Sequence, residues 1–185
     1  MSASDPRDEI VEHLPALRAF ALSLTRNGAL ADDMVQDALV KAWTKIHLFE
    51  PGTNMRAWLF TILRNTYYSN RRKAGREVAD VDGIHTEAVS EKPAHDGRLA
   101  LADFKVAFDQ LSDQQREALI LVGASGFSYE EAAGMCDCAV GTIKSRINRA
   151  RARLAELMQL DENEALELTD NATMAVVAGP KSATI

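Results

Sequence analysis

The chain of 185 residues holds only two cysteines, five prolines and ten glycines. Two cysteines cannot form the disulfide framework that staples small secreted domains. So little Pro and Gly excludes a collagen-like or low-complexity protein. Nowhere is there a run of the roughly 18 uncharged apolar residues that a membrane-spanning helix needs. The opening residues, Met1-Ser-Ala-Ser-Asp-Pro-Arg-Asp-Glu9, lack the positive segment and apolar run of a secretory signal. A soluble cytoplasmic protein with no membrane association is expected. Catalytic and metal-binding patterns are missing too. Cys136 and Cys138 form a C-x-C without a second Cys or His pair at zinc spacing, and His13, His47, His85 and His95 are scattered. Asp32, Asp33 and Asp37 have no histidine, phosphate loop or nucleophile elbow beside them. No catalytic residue, metal site or cofactor is expected.

What is present is charge with an uneven distribution. The formal net charge is −6, from 21 basic and 27 acidic residues, an average that argues against a polyanionic partner. Yet no acid lies between Pro51 and Arg76, where Arg56, Arg64, Arg71, Arg72, Lys73 and Arg76 supply six positive charges. A second acid-free window, Ala139 to Ala155, holds Lys144, Arg146, Arg149, Arg151 and Arg153. Two basic patches on an acidic background point to two separated contacts with one polyanion.

Apolar residues recur every three or four positions almost throughout, and no period of two is sustained, so the fold is expected to be all-α. Leu14, Leu17, Ala21 and Leu24 mark a first helix that Asn27-Gly28 ends. A second, Ala29 to His47, has Met34, Val35, Ala38, Leu39, Ala42, Trp43 and Ile46 on one face, with Pro51-Gly52 as the break after it. Thr53 or Asn54 caps a third, which carries Trp58, Leu59, Ile62, Leu63 and Thr66 inward and ends in Arg71-Arg72-Lys73 before Gly75. Periodicity then fails and resumes near Arg98. The predicted architecture is two small helical domains, 8–76 and 98–160, joined by a flexible linker, 77–97. An acidic tail, 161–185, is expected to be disordered.

In the second unit, Ser112-Asp-Gln-Gln115 and Ser128-Tyr-Glu-Glu131 have the form of capping boxes. Phe127 to Ala150 fits a helix-turn-helix: Ala133 lets the helices touch, Asp137 tolerates the left-handed turn, and Val140, Ile143 and Ile147 face inward beside Cys136 and Cys138. The outer face of the second helix then presents Thr142, Lys144, Ser145, Asn148 and Arg149, a mixture suited to base edges and phosphates. Arg146, Arg151 and Arg153 complete the basic window. In the first unit, Trp58, Phe60, Tyr67 and Tyr68 interleave with Arg56, Arg64, Arg71, Arg72 and Lys73, so that rings can stack on the bases of a single strand while cations follow its backbone. For Trp58 a place in the core is the stronger expectation.

Three strings in order, Ala31-Asp-Asp-Met-Val-Gln-Asp-Ala-Leu-Val-Lys-Ala-Trp43, Met55-Arg-Ala-Trp-Leu-Phe-Thr-Ile-Leu-Arg-Asn65, and Phe127-Ser-Tyr-Glu-Glu-Ala-Ala133 followed by Val140-Gly-Thr-Ile-Lys-Ser-Arg-Ile-Asn-Arg-Ala150, resemble the extracytoplasmic-function sigma factors of bacterial RNA polymerase. The stretch His47-Leu-Phe-Glu-Pro-Gly-Thr-Asn-Met-Arg-Ala-Trp58 is similar to the general-stress-response branch. The resemblance implies a promoter-specific initiation factor for stress genes, a monomer when free and controlled by a small anti-sigma factor. It assigns Asp33, Gln36, Asp37, Lys41 and Trp43 to docking on the clamp helices of the polymerase largest subunit. Arg56, Arg64, Asn65, Tyr68, Arg71, Arg72 and Lys73 then fall to capture of the −10 strand, including a flipped base. Lys144, Ser145, Asn148 and Arg149 match the −35 readers, in a domain that also meets the flap of the second-largest subunit. Ala139 departs from the proline common at that helix start. The rival reading is a sigma-like decoy that titrates an anti-sigma factor without binding promoters. Such decoys have usually lost the DNA-contacting residues and carry a receiver domain, and neither feature is found in this sequence.

Overall fold

A computed structural model describes residues 6–79 and 96–160, and every regular element among them is helical. Eight α-helices follow one another: α1 Pro6–Glu12, α2 Leu14–Thr25, α3 Gly28–Thr44, α4 Met55–Ala79, α5 Asp96–Asp109, α6 Asp113–Leu119, α7 Tyr129–Cys136 and α8 Val140–Met158. A 3-10 turn, Ile46–Leu48, follows α3, and α6 continues through a π-helical turn, Ile120–Ala124.

Side-chain oxygens set the helix starts. Asn27 Oδ1 accepts the Leu30 N–H at 3.1 Å, and Asn54 Oδ1 accepts the Ala57 N–H at 3.1 Å. Both expected capping boxes form, Ser112 with Gln115 and Ser128 with Glu131, each contributing about 1 kcal/mol to its helix. Asp137 closes α7 in the left-handed region, at φ 50° and ψ 53°, which turns the chain into α8 as a helix-turn-helix requires.

In the first half, α2, α3 and α4 pack through Leu17, Phe20, Ala21, Leu24, Met34, Ala38, Leu59, Phe60 and Leu63, all buried. In the second, α8 lays Ile143, Ile147, Ala150 and Leu154 against α5, α6 and α7. The halves also touch. Phe60 stacks on Phe20 (centroids 4.9 Å apart) and meets the edge of Phe127 at 5.1 Å and 71°. Among the described residues the core is therefore continuous from α2 to α8.

Four local expectations need correction. Asn27-Gly28 does not end the first helix: Arg26 does, at φ 56°, and Asn27 instead caps the next. α3 stops at Thr44, and Trp43, expected on the inward face, is 56% exposed, because the buried stripe is carried by Ala31, Met34, Val35, Ala38 and Ala42. α4 runs past Gly75 to Ala79, since a glycine costs about 1 kcal/mol in a helix and its Arg, Lys and Ala neighbours are good helix formers. Finally, α1 precedes the helix that the periodicity marked first. Residues 80–95 of the expected linker and the tail 161–185 lie outside the described residues.

Candidate nucleic-acid interface

α8 presents one basic face. Burial of Ile143, Ile147 and Ala150 forces Lys144, Asn148 and Arg149 outward, where they are exposed. Thr142, Ser145, Arg146 and Arg151 are half-buried along its flanks, and Arg153 is exposed, paired with Glu156 at 2.7 Å. The Arg149 guanidinium donates to the Ser145 carbonyl at 3.2 Å and to Ser145 Oγ at 3.1 Å, which holds it along the helix surface. Lys144 Nζ sits 5.7 Å from the Tyr129 ring centre, linking the two helices of the motif at their outer edge. The half-buried Cys138 receives Arg146 Nη1 at 3.8 Å, while Cys136 is buried and its thiol is pushed up to about 12, first by burial and then by Glu117. Among the described residues no group of three His, Cys, Asp or Glu side chains is placed to hold a metal ion, and no helix is long and apolar enough to cross a membrane.

α4 distributes its expected nucleic-acid residues over two faces. Asn65, Arg72 and Lys73 are exposed. Arg56, Arg64, Tyr68 and Arg71 instead meet the second half of the molecule. The Arg56 guanidinium lies 5.4 Å from the Phe60 ring centre and 5.0 Å from that of Phe127. Arg64 Nε donates to Glu117 Oε1 at 2.6 Å, with the guanidinium over the Tyr68 ring at 4.7 Å. Tyr68 OH donates to Glu117 Oε2 at 3.3 Å, Tyr67 OH donates to Asp113 Oδ2 at 3.1 Å, and Arg71 pairs with Asp113. Burial works against the charge on Arg64, but Glu117 together with Cys136 and Tyr68 outweighs it, and the guanidinium is held more firmly protonated than usual. Burial and Glu117 together push the Tyr68 phenol upward. Trp58, expected in the core, is half-buried against Phe49 at 5.4 Å.

On α3, Asp33, Gln36 and Asp37 are exposed together. Leu30 and Val40 flank them at 56% and 66% exposure. Trp43 is capped by Arg7 at 5.1 Å. Lys41 departs from this group: its Nζ donates to Thr66 Oγ1 at 2.9 Å and so ties α3 to α4. The polar residues that sequence reasoning passed over are Asp113, Arg116 and Glu117. Arg116 is fully buried, donating to the Leu111 carbonyl at 2.6 Å and pairing with Asp113. Glu117 is also fully buried. Their one signal was a charged pair, Arg116-Glu117, directly before the apolar run Ala118 to Val122, where a solvated first turn is the ordinary explanation.

The family models for Sigma-70 region 2 and Sigma-70 region 4 match residues 10–77 and 101–154. The chain belongs to the sigma-70 family of transcription initiation factors, and within it to the extracytoplasmic-function sigma factors. It is 51% identical to the ECF RNA polymerase sigma factor EcfG of Rhodopseudomonas palustris, over 94% of this chain and 95% of that one. It is 58% identical to the sigma factor RpoE of Bartonella quintana in its co-crystal with the anti-sigma factor NepR, with a TM-score of 0.76 over 86% of this chain and 99% of that one. CnrH, solved with the cytosolic domain of CnrY, superposes with a TM-score of 0.53 at 29% identity, covering 82% of this chain and 86% of that one. The match to EcfG agrees with the branch read from the sequence.

Proposed function

We propose that this chain directs RNA polymerase to stress-response promoters, with α8 reading −35 duplex, the exposed face of α4 receiving the −10 strand, and Asp33, Gln36, Asp37 and Trp43 of α3 docking on the largest subunit. The observation that carries the reading is the acid-free outer face of α8. There Lys144, Asn148 and Arg149 stand exposed on the second helix of a correctly turned helix-turn-helix. A decoy has no use for that face. On this reading, residues 8–76 and 98–160 are the two functional domains and 161–185 is an acidic tail that modulates DNA affinity by repulsion. The setting is the cytoplasm, where the polymerase works. Exposed Leu30 and Val40 beside three polar residues suit a protein partner with an apolar centre and a charged rim.

The Bartonella relative is held by an anti-sigma factor, and control by a similar small protein is part of the proposal. Copurification followed by transcription with saturating partner tests it: promoter-directed initiation should fall, and unchanged initiation removes this element. The central test mixes the purified chain with sigma-free core polymerase and a genomic fragment library and maps the 5′ ends. Discrete starts sharing −35 and −10 motifs are expected. Absence of core binding would turn the reading toward the decoy.

A further inference from the structure

We infer that Glu117 and Asp113 of α6 act as an internal stand-in for DNA phosphate, occupying Arg64, Tyr68 and Arg71 of α4 in a closed state that the −10 strand must displace. This rests on the reading of α4 as the strand-binding helix. Arg64, Tyr68 and Arg71 lie on one side of α4, at steps of four and three residues. Facing them, Asp113 and Glu117 are four residues apart on α6 and run in the opposite sense, so that the lower-numbered cation takes the higher-numbered acid. The Glu117 carboxylate, fully buried, takes both Arg64 Nε and Tyr68 OH. Asp113 takes Tyr67 OH and the Arg71 guanidinium. A guanidinium bound by a carboxylate is unavailable to a phosphate, because both ligands use the same donors.

The chemistry of this joint favours exchange over permanence. Buried ion pairs are often no more stabilising than a well-packed apolar replacement. An apolar joint, once opened, offers nothing to a nucleic acid. Here each group released is a strand ligand: two cations for phosphate and a half-buried tyrosine ring for stacking. A cleft of about 460 Å³, lined by Tyr68, Arg71, Arg72, Ser112, Asp113 and Gln114, opens at the end of this joint and gives a strand access to its Arg71 end. Two further ties close the same seam, Asn54 to Glu131 at 2.9 Å and Arg26 to the Asp109 carbonyl at 2.9 Å.

The test uses the full chain and a fluorescent single strand carrying the −10 segment of a mapped promoter. Glu117→Gln keeps a hydrogen-bond acceptor but removes the charge, and Asp113→Asn does the same at the more exposed partner. Each is expected to bind the strand about fivefold tighter or more, with circular dichroism confirming the fold. On the unmodified chain, adding the strand should speed amide hydrogen exchange in 112–131 while slowing it in 64–73. Asn65→Ala with Lys73→Ala lies outside the joint and reports on the reading of α4 itself. If that pair weakens binding while folded Glu117→Gln and Asp113→Asn bind no tighter, the stand-in is refuted and the reading of α4 survives. Should Glu117→Gln fail to fold, Asp113→Asn and the exchange experiment decide, and unmoved exchange in 112–131 overturns the inference. No loss from Asn65→Ala with Lys73→Ala would remove the reading and the inference with it.

Discussion

α4 and α8 are both long helices with an acid-free basic window, yet the molecule uses them differently. On α8 the cations and amides stand outside a narrow apolar stripe: Arg149 holds to its own helix, Lys144 reaches Tyr129 of α7 and Arg146 the Cys138 thiol in the turn between them. On α4 three of the arginines are engaged with aromatic rings and carboxylates of another part of the chain, Arg72 lines the cleft beside Asp113, and Asn65 and Lys73 stand exposed on the outward face. The same composition therefore supports two states of readiness. On the function proposed above, the duplex-reading face of α8 is displayed permanently, whereas the strand-binding face of α4 is partly closed by the second half of the chain.

The contrast breaks most readily where charge is buried. Arg116→Met takes the donor from Asp113 Oδ1 and the Leu111 carbonyl, while Tyr67 and Arg71 still hold Asp113 Oδ2; loss of one member of a buried pair costs about 3–5 kcal/mol, and urea unfolding followed by circular dichroism should show it. Phe60→Ala, at the point where the two halves meet, should cost a similar or slightly smaller amount, roughly 3–4 kcal/mol. It should lower the melting of 98–160 as well as 8–76 in segment-resolved hydrogen exchange, and an effect confined to the first half would show the halves to be energetically independent. Arg149→Ala should weaken −35 duplex binding by about 1–3 kcal/mol if the side chain leaves Ser145 for a base edge. Equal loss on random duplex would make it a phosphate contact. Ser128→Ala removes one cap and should cost about 1 kcal/mol, read from thermal unfolding, with −35 binding falling only as stability does. Last, because burial pushes the Cys136 thiol up to about 12, that thiol stays protonated at neutral pH. Maleimide at pH 7 should label Cys138 first and Cys136 only on unfolding, as mass spectrometry would report.

Much of this architecture was legible because it rests on short-range rules. Ser112 and Ser128 each precede a residue able to return the hydrogen bond three positions later, and Asp137 stands where a helix-turn-helix needs a left-handed residue. The outer face of α8 followed from three apolar positions alone. What sequence did not reveal depends on the tertiary arrangement. A period of three or four residues says that α4 has an inward face but not what covers its flank, so Arg64 and Arg71 read as surface charges. Trp43 looked like core because an indole is apolar, although small residues already filled that face of α3. Glu117 had no readable role until Arg64, 53 residues away, was placed beside it.

The meeting of Phe60 with Phe127 has a calorimetric consequence. Burial of apolar surface on binding ordinarily lowers heat capacity. A ligand that separates α4 from α7 must first wet two aromatic rings that are now buried, and hydrating apolar surface raises heat capacity. Titrations of such a ligand across a range of temperatures should therefore give a less negative slope of enthalpy with temperature than the area of its own contact implies, even a positive one. A ligand that settles on α8 alone should keep the ordinary sign.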